Sequence, residues 1–137
     1  MNRIFDIAGS ALAAQTLRLN TIASNVANAN TVAGSPDEVY RARSPIFTAV
    51  FEEAASKAGL DTAKVQVTGV VEHDKPAIAQ YRPDHPLADE NGNVYTPDIE
   101  VMSQYADMIA ASRSYETNVE VIDTTRQLML KTLQLGR

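Results

Sequence analysis

Two stretches of the chain carry apolar residues at heptad spacing, and they stand at opposite ends. Near the C-terminus Val101, Tyr105, Met108, Ser112, Tyr115, Val119, Ile122, Arg126, Met129 and Leu133 recur at intervals of four and three, and eight of the ten are apolar. A repeat of 3.5 residues nearly matches the 3.6 of an α-helix, so such spacing gathers the side chains into one narrow stripe. Ser112 and Arg126 interrupt it. The helix is expected from Pro97 to Gly136. Thr96 suits an N-cap, Pro97 the first helical position, Asp98 and Glu100 the positive end of the dipole, and Gly136 the stop. At 1.5 Å per residue it would reach roughly 55 to 60 Å, far beyond the common globular helix of about 11 to 12 residues. It needs a long partner.

The N-terminal segment supplies one. Phe5, Ala8, Leu12, Gln15, Leu19, Ile22, Val26 and Ala29 are spaced by three and four, with Gln15 the single polar member. Alanines at 8, 11 and 14 favour helix and let a neighbouring helix approach closely. Arg3, Asp6 and Arg18 are the only ionised side chains in the first thirty-six residues. With Asn20, Thr21, Ser24, Asn25, Asn28 and Asn30 on the remaining surface, the outer face is suited to hydrogen bonds with other protein. Asparagine is a poor helix former, so the run from Asn25 to Thr31 is expected to fray into a loop.

Between the seams the pattern changes to short alternating runs broken by proline and glycine. Tyr40–Phe51 contains Pro45, which restricts any strand there to an edge or splits it. Glu52–Gly59 fits one or two helical turns. Val65, Val67, Gly69 and Val71 alternate as a strand with a bulge at the glycine. Ala77–Tyr81 is a second short strand, and Asn91-Gly92 a turn ahead of Val94 and Tyr95. The expected fold is mainly α: long N- and C-terminal helices forming a coiled coil, residues 1–31 and 97–137, with a small loop-rich β insert at 32–96.

Composition narrows the function. A net charge of -5 argues against nucleic-acid binding, which needs a basic face. The absence of cysteine excludes disulfides and thiolate metal sites. No run approaches the ~20 apolar residues of a membrane span, so direct membrane insertion is not expected. Asp6, Gly9 and Ser10 interrupt the apolar N-terminal stretch, so a cleaved leader is not expected either.

Candidate chemistry is sparse. His73 and His85 each adjoin an aspartate, Asp74 and Asp84, but a spacing of twelve matches no compact metal site. There is no nucleophile motif and no glycine-rich phosphate loop, and the neighbouring carboxylates Glu52-Glu53 and Asp89-Glu90 do not flank a substrate. No catalytic residue, cofactor or metal is expected. Tyr105 and Tyr115 fall on the seam as packing aromatics or intersubunit contacts, and Arg113 beside it as a polar contact.

The two ends also carry recognisable signatures. LRLNTIASNVANANT (17–31) resembles the N-terminal signature of bacterial flagellar rod and hook proteins, and ASRSYETNVEVIDTTRQLMLKTLQLGR (111–137) resembles their C-terminal signature, in particular that of proximal rod members. IFDIAGSALAAQTLRLN near the start and HPLADENGNVYTPDIEV (85–101) are similar to the same members, and Tyr40-Arg41 matches a Tyr-Arg pair that follows their linker. The resemblance implies a structural subunit of the basal-body rod in the periplasmic space, exported unfolded through the flagellar type III apparatus. It would polymerise into a torque-transmitting helical shaft. Its partners would be further copies of itself, other rod proteins, and membrane-ring and export-apparatus components. Subunit packing would fall to Leu12, Leu19, Ile22, Val26, Tyr105, Met108, Tyr115, Val119, Ile122, Met129 and Leu133. Asn20, Asn25, Asn28, Asn30, Arg113 and Asn118 would form an assembly motif. An alternative from another class is a soluble helical-hairpin adaptor binding a peptide or small ligand through its β insert.

Overall fold

The computed structural model of the chain describes residues 2–51 and 63–136. Helix α1 spans Asn2–Asn28 and helix α2 spans Val101–Leu135. Between them lie a 3-10 turn at Pro36–Glu38 and four strands: β1 Arg43–Phe51, β2 Ala63–Glu72, β3 Ile78–Tyr81 and β4 Asn93–Thr96. Two helices thus flank a small β region, as the alternation of heptads and short runs predicts. The helical turns anticipated at Glu52–Gly59, and the Glu52-Glu53 pair, lie outside the described residues.

The helices run antiparallel. Arg18 reaches Asp107 at 3.4 Å and Asn25 reaches Gln104 at 2.9 Å, so rising numbers in α1 meet falling numbers in α2. All eight residues of the N-terminal stripe are at least half-buried, and Ala8, Ile22 and Ala29 fully so. The stripe on α2 lies one step away from its expected place. Covered positions there are Val101, Gln104, Asp107, Met108, Ala111, Ser112, Asn118, Ile122, Thr125 and Met129, with Ala111 at 0% exposure. Val101, Met108, Ser112, Ile122 and Met129 belong to both lines, but Tyr105 (47%), Val119 (44%) and Leu133 (70%) face outward. The cause is size and polarity. Small side chains let two helices pack closely, and α1 buries Ala8 and Ala14 while α2 buries Ala111; Gln104 gains a hydrogen bond by turning inward.

Both helix ends differ from the expected ones. Thr96 is the last residue of β4 and its hydroxyl donates to the Ile78 carbonyl at 3.5 Å, so it does not cap a helix. Pro97 is buried but outside any helix or strand, Asp98 pairs with Lys75 at 3.5 Å, and α2 begins only after Glu100, whose side chain makes no capping bond. At the other junction α1 continues through Asn28 rather than fraying at Asn25. The Asn25 amide is occupied by groups outside the helix and so does not compete with its own backbone.

Strands β1 and β2 form an antiparallel hairpin with a register shift between Ile46 and Phe47, where Thr68 is left over beside Gly69. The bulge sits next to the glycine. This hairpin lies against α1: the Ser10 hydroxyl accepts from the Val65 amide at 3.1 Å, and Lys64 pairs with Asp6 at 3.8 Å. The charge-poor outer face of α1 is therefore used partly within the chain. Strands β3 and β4 pair antiparallel, and Ala33 adds a single bridge to Tyr95 on the other side of β4. Val94 is fully buried there, worth about 1.5 to 3 kcal/mol by area.

Candidate assembly interface

Asn25 is the junction of the molecule. It lies on the same helical face as Ile22 and Ala29, and is only 2% exposed. A buried primary amide needs two acceptors and two donors around it, and all four are present. Its nitrogen donates to the Arg43 carbonyl and to Gln104 Oε1, both at 2.9 Å. Its oxygen accepts from the Arg43 amide at 2.9 Å and the Tyr40 hydroxyl at 3.0 Å. By bonding both main-chain groups of Arg43 the side chain imitates a neighbouring strand. It fixes α1, α2 and the base of the hairpin to one another. Tyr40 is held from a second side by Ser24 at 3.0 Å, and the Arg43 guanidinium lies 5.9 Å from its ring centre while binding Glu72 at 2.8 Å. Sequence reasoning placed Asn25 on an outer face and missed Tyr40, Arg43 and Gln104 as its partners. The signal was available: residues 22, 25 and 29 share one face.

The other proposed motif residues are dispersed. Asn28 donates to the Ser24 carbonyl and Asn118 to the Ser114 carbonyl, each at 2.8 Å, so both are tied to their own helices. Asn20, Asn30 and Arg113 are exposed. Of the packing residues, Leu12, Leu19, Ile22 and Val26 are covered by the chain itself, as are Met108, Ile122 and Met129 in part. Tyr105, Tyr115, Val119 and Leu133 present apolar surface outward, together with Met102, Ile109, Leu128, Leu130 and Leu135. Among the described residues no helix accompanies the end of α2. Counting from the Asn25–Gln104 contact, α2 continues 31 residues to Leu135 while α1 extends only 23 back to Asn2. About eight residues, roughly 12 Å of helix, project past α1.

The turn before β4 is built around Asp89. Its carboxylate accepts from the Asn91 amide at 2.9 Å, the Asn93 amide at 2.8 Å and the Tyr95 hydroxyl at 3.0 Å. The Asn93 amide, aided by Tyr95 and Asn91, holds the Asp89 carboxyl below its usual value against a smaller opposing effect of desolvation. The same bond to the carboxylate raises the Tyr95 phenol. Gly92 closes the turn at a φ of 77°, and a Cβ there would lie 2.9 Å from the Tyr81 ring.

The histidines serve local structure. His73 Nε2 lies 2.8 Å from the Ser44 hydroxyl, and His85 Nδ1 accepts from the Leu87 amide at 3.1 Å. A chamber of about 210 Å³ bordered by Asp37, Arg41, His73, Lys75 and Asp98 has its cations already paired, Arg41 with Asp74 and Lys75 with Asp98. Among the described residues no three His, Asp or Glu side chains are placed to hold a metal ion, and no helix is long and apolar enough to cross a membrane.

The long α2, its partner α1 and their flanking segments are also the parts that match known families. Residues 5–34 match the family described as flagella basal body rod protein, and residues 90–135 match the flagellar basal body rod FlgEFG protein C-terminal family. Over 134 residues the chain is 46% identical to the flagellar basal-body rod protein FlgC of Salmonella typhimurium, covering 98% of this chain and 96% of that protein. The chain belongs to the FlgC family. It is 45% identical to FlgC of Escherichia coli O6:H1 over the same shares, and 36% identical to FlgC of Agrobacterium fabrum over 94% of this chain and 90% of that one. As a FlgC-type protein it is a structural subunit of the flagellar basal-body rod, and the adaptor alternative gains nothing from these relatives. The FlgC matches extend through the β region, whereas the two family matches cover α1 with the loop after it, and β4 with α2.

Proposed function

We propose that the chain polymerises in the proximal rod through its terminal helices, which pair as a coiled coil within the subunit and pack against helices of neighbouring subunits. Together they form the shaft that carries torque across the periplasmic space. In this reading residues 1–31 and 97–137 make the shaft, and 32–96 form an appendage. The supporting observation is the run of exposed apolar side chains on α2 that continues past the start of α1. Exposed leucines repeating along a projecting helix favour burial against another helix. Neighbours would be further copies, other rod proteins and, at the base, membrane-ring or export components. Tyr105, Tyr115, Val119 and Leu133 would meet those neighbours, with Arg113, Asn20 and Asn30 as polar contacts. Asn25, Asn28, Asn118 and the partly covered Leu12 and Leu19 would act by shaping the subunit.

The test is to place charge on the outward face. Val119→Lys and Leu133→Asp should leave the folded monomer within about 0.5 kcal/mol of the parent, as expected for exposed positions. They should nevertheless abolish rod completion and swimming. Normal motility of both variants would overturn the reading.

A further inference from the structure

We propose that the outer edge of β1 receives the open edge of β3 from a neighbouring copy, so that adjacent subunits are joined by strand pairing as well as by helices; this rests on the rod-subunit reading. The direction of main-chain groups along β1 follows from its two ends. Arg43 turns its N–H and C=O away from β2 to Asn25, and Val65, opposite Ala49, turns its N–H away from β1 to Ser10. Alternation then directs the main-chain groups of Pro45, Phe47, Ala49 and Phe51 to the outer edge. The first part of that edge is closed. Asn25 occupies Arg43, and Pro45 has no N–H to offer. Phe47, Ala49 and Phe51 find no main-chain partner there among the described residues.

The side chains along the same stretch invite pairing. Residues 46–51, Ile-Phe-Thr-Ala-Val-Phe, carry no charge, and Ile46, Val50 and Phe51 are exposed, Phe51 at 62%. Edge strands that must stay single usually bear lysine, proline or inward charge. Here proline guards only the helix-proximal end. A cleft of about 310 Å³ borders the closed start of that edge at Arg43 and Pro45 and reaches Phe47.

A complementary edge exists on the same chain. Tyr95, opposite Ala79, bonds Ala33 on the far side of β4, and Asn93, opposite Tyr81, bonds Asp89. Ala79 and Tyr81 therefore direct their main-chain groups away from β4. Strand β3, Ile-Ala-Gln-Tyr, is also uncharged, with Ile78 exposed and Tyr81 at 73%. Two different open edges on one chain give a head-to-tail contact, the kind that propagates along a helical polymer. A two-stranded hairpin is marginal alone and gains from a third strand.

The test uses the natural absence of cysteine. The full-length chain carrying Ala49→Cys and Ala79→Cys replaces the parent in its flagellated host, and isolated basal bodies are treated with a short thiol cross-linker. Dimers and higher multimers are expected from the double variant, and only background from either single one. Adding Phe47→Pro, which removes an outward N–H at a position type the edge already tolerates at Pro45, should lower cross-linking at least tenfold; Phe47→Val should not. Double-variant chains present in basal bodies but uncross-linked would overturn the strand contact alone, as would efficient cross-linking by Ala49→Cys by itself or survival of cross-links with Phe47→Pro. Absence of the parent chain from basal bodies would overturn the rod reading beneath it.

Discussion

Replacing Asn25 with alanine removes four hydrogen bonds at one buried point. At about 1 kcal/mol net for each, the loss would approach ~4 kcal/mol. Tyr40 keeps Ser24 as a partner, and both Tyr40 and Gln104 are half-exposed, so water offsets part of it. The main-chain groups of Arg43 gain no such substitute from the protein. We therefore expect Asn25→Ala to destabilise the chain by about 2 to 4 kcal/mol, a large share of the ~5 to 15 kcal/mol typical of a domain. Urea unfolding followed by circular dichroism measures the total. Hydrogen exchange at the Arg43 amide localises it, with acceleration of roughly 30- to 1000-fold at 1.4 kcal/mol per decade. Asn28→Ala is the control, because the Asn28 side chain bonds the Ser24 carbonyl of its own helix. A cost below about 0.5 kcal/mol for Asn25→Ala would refute the role of the amide as the junction between helices and hairpin.

Three further outcomes are expected. Ala111→Leu should cost about 1 to 3 kcal/mol in the same unfolding assay, since the position is fully enclosed, whereas Tyr105→Leu on the outward line should be close to neutral. Gly92→Ala should cost about 1 to 3 kcal/mol, from the positive φ and the approach to Tyr81, and should broaden the amide signals of the turn. The Asp89 turn should be sensitive to pH. Its carboxyl is depressed below 3.8, so its contribution is complete above that value and is lost as pH falls through the lower, folded value. Tyr95 is raised above 10.0, so its contribution is complete below that and lost at higher pH. Amide exchange at Asn93 should rise at both extremes, and Asp89→Asn should remove the acid arm.

Both helices were legible because apolar residues held at heptad spacing over a long stretch line up on one face only when the backbone is helical. The short strands were legible from Val65, Val67, Ile78 and Val94, and the bulge from Gly69. The contact line on α2 was not. Hydropathy favoured Tyr105 and Val119, while the packed line chose Gln104, Ala111, Asn118 and Thr125, because an alanine-rich partner rewards small size and one matched amide pair more than apolarity. The N-terminal limit of α2 was lost for a related reason. Thr96 and Pro97 carry strong local capping signals, but the β3–β4 ladder claims Thr96 first. Asn25 was singled out for the wrong environment, since propensity describes an asparagine in isolation and says nothing of Arg43, eighteen residues away in sequence.

The outward line on α2 has the most direct test. A density map of basal bodies containing this chain, with α2 traced, should show Tyr105, Val119, Leu128 and Leu133 covered by helices of neighbouring subunits. If those side chains remain open to solvent in the assembled rod, polymerisation through the outward face of α2 is wrong.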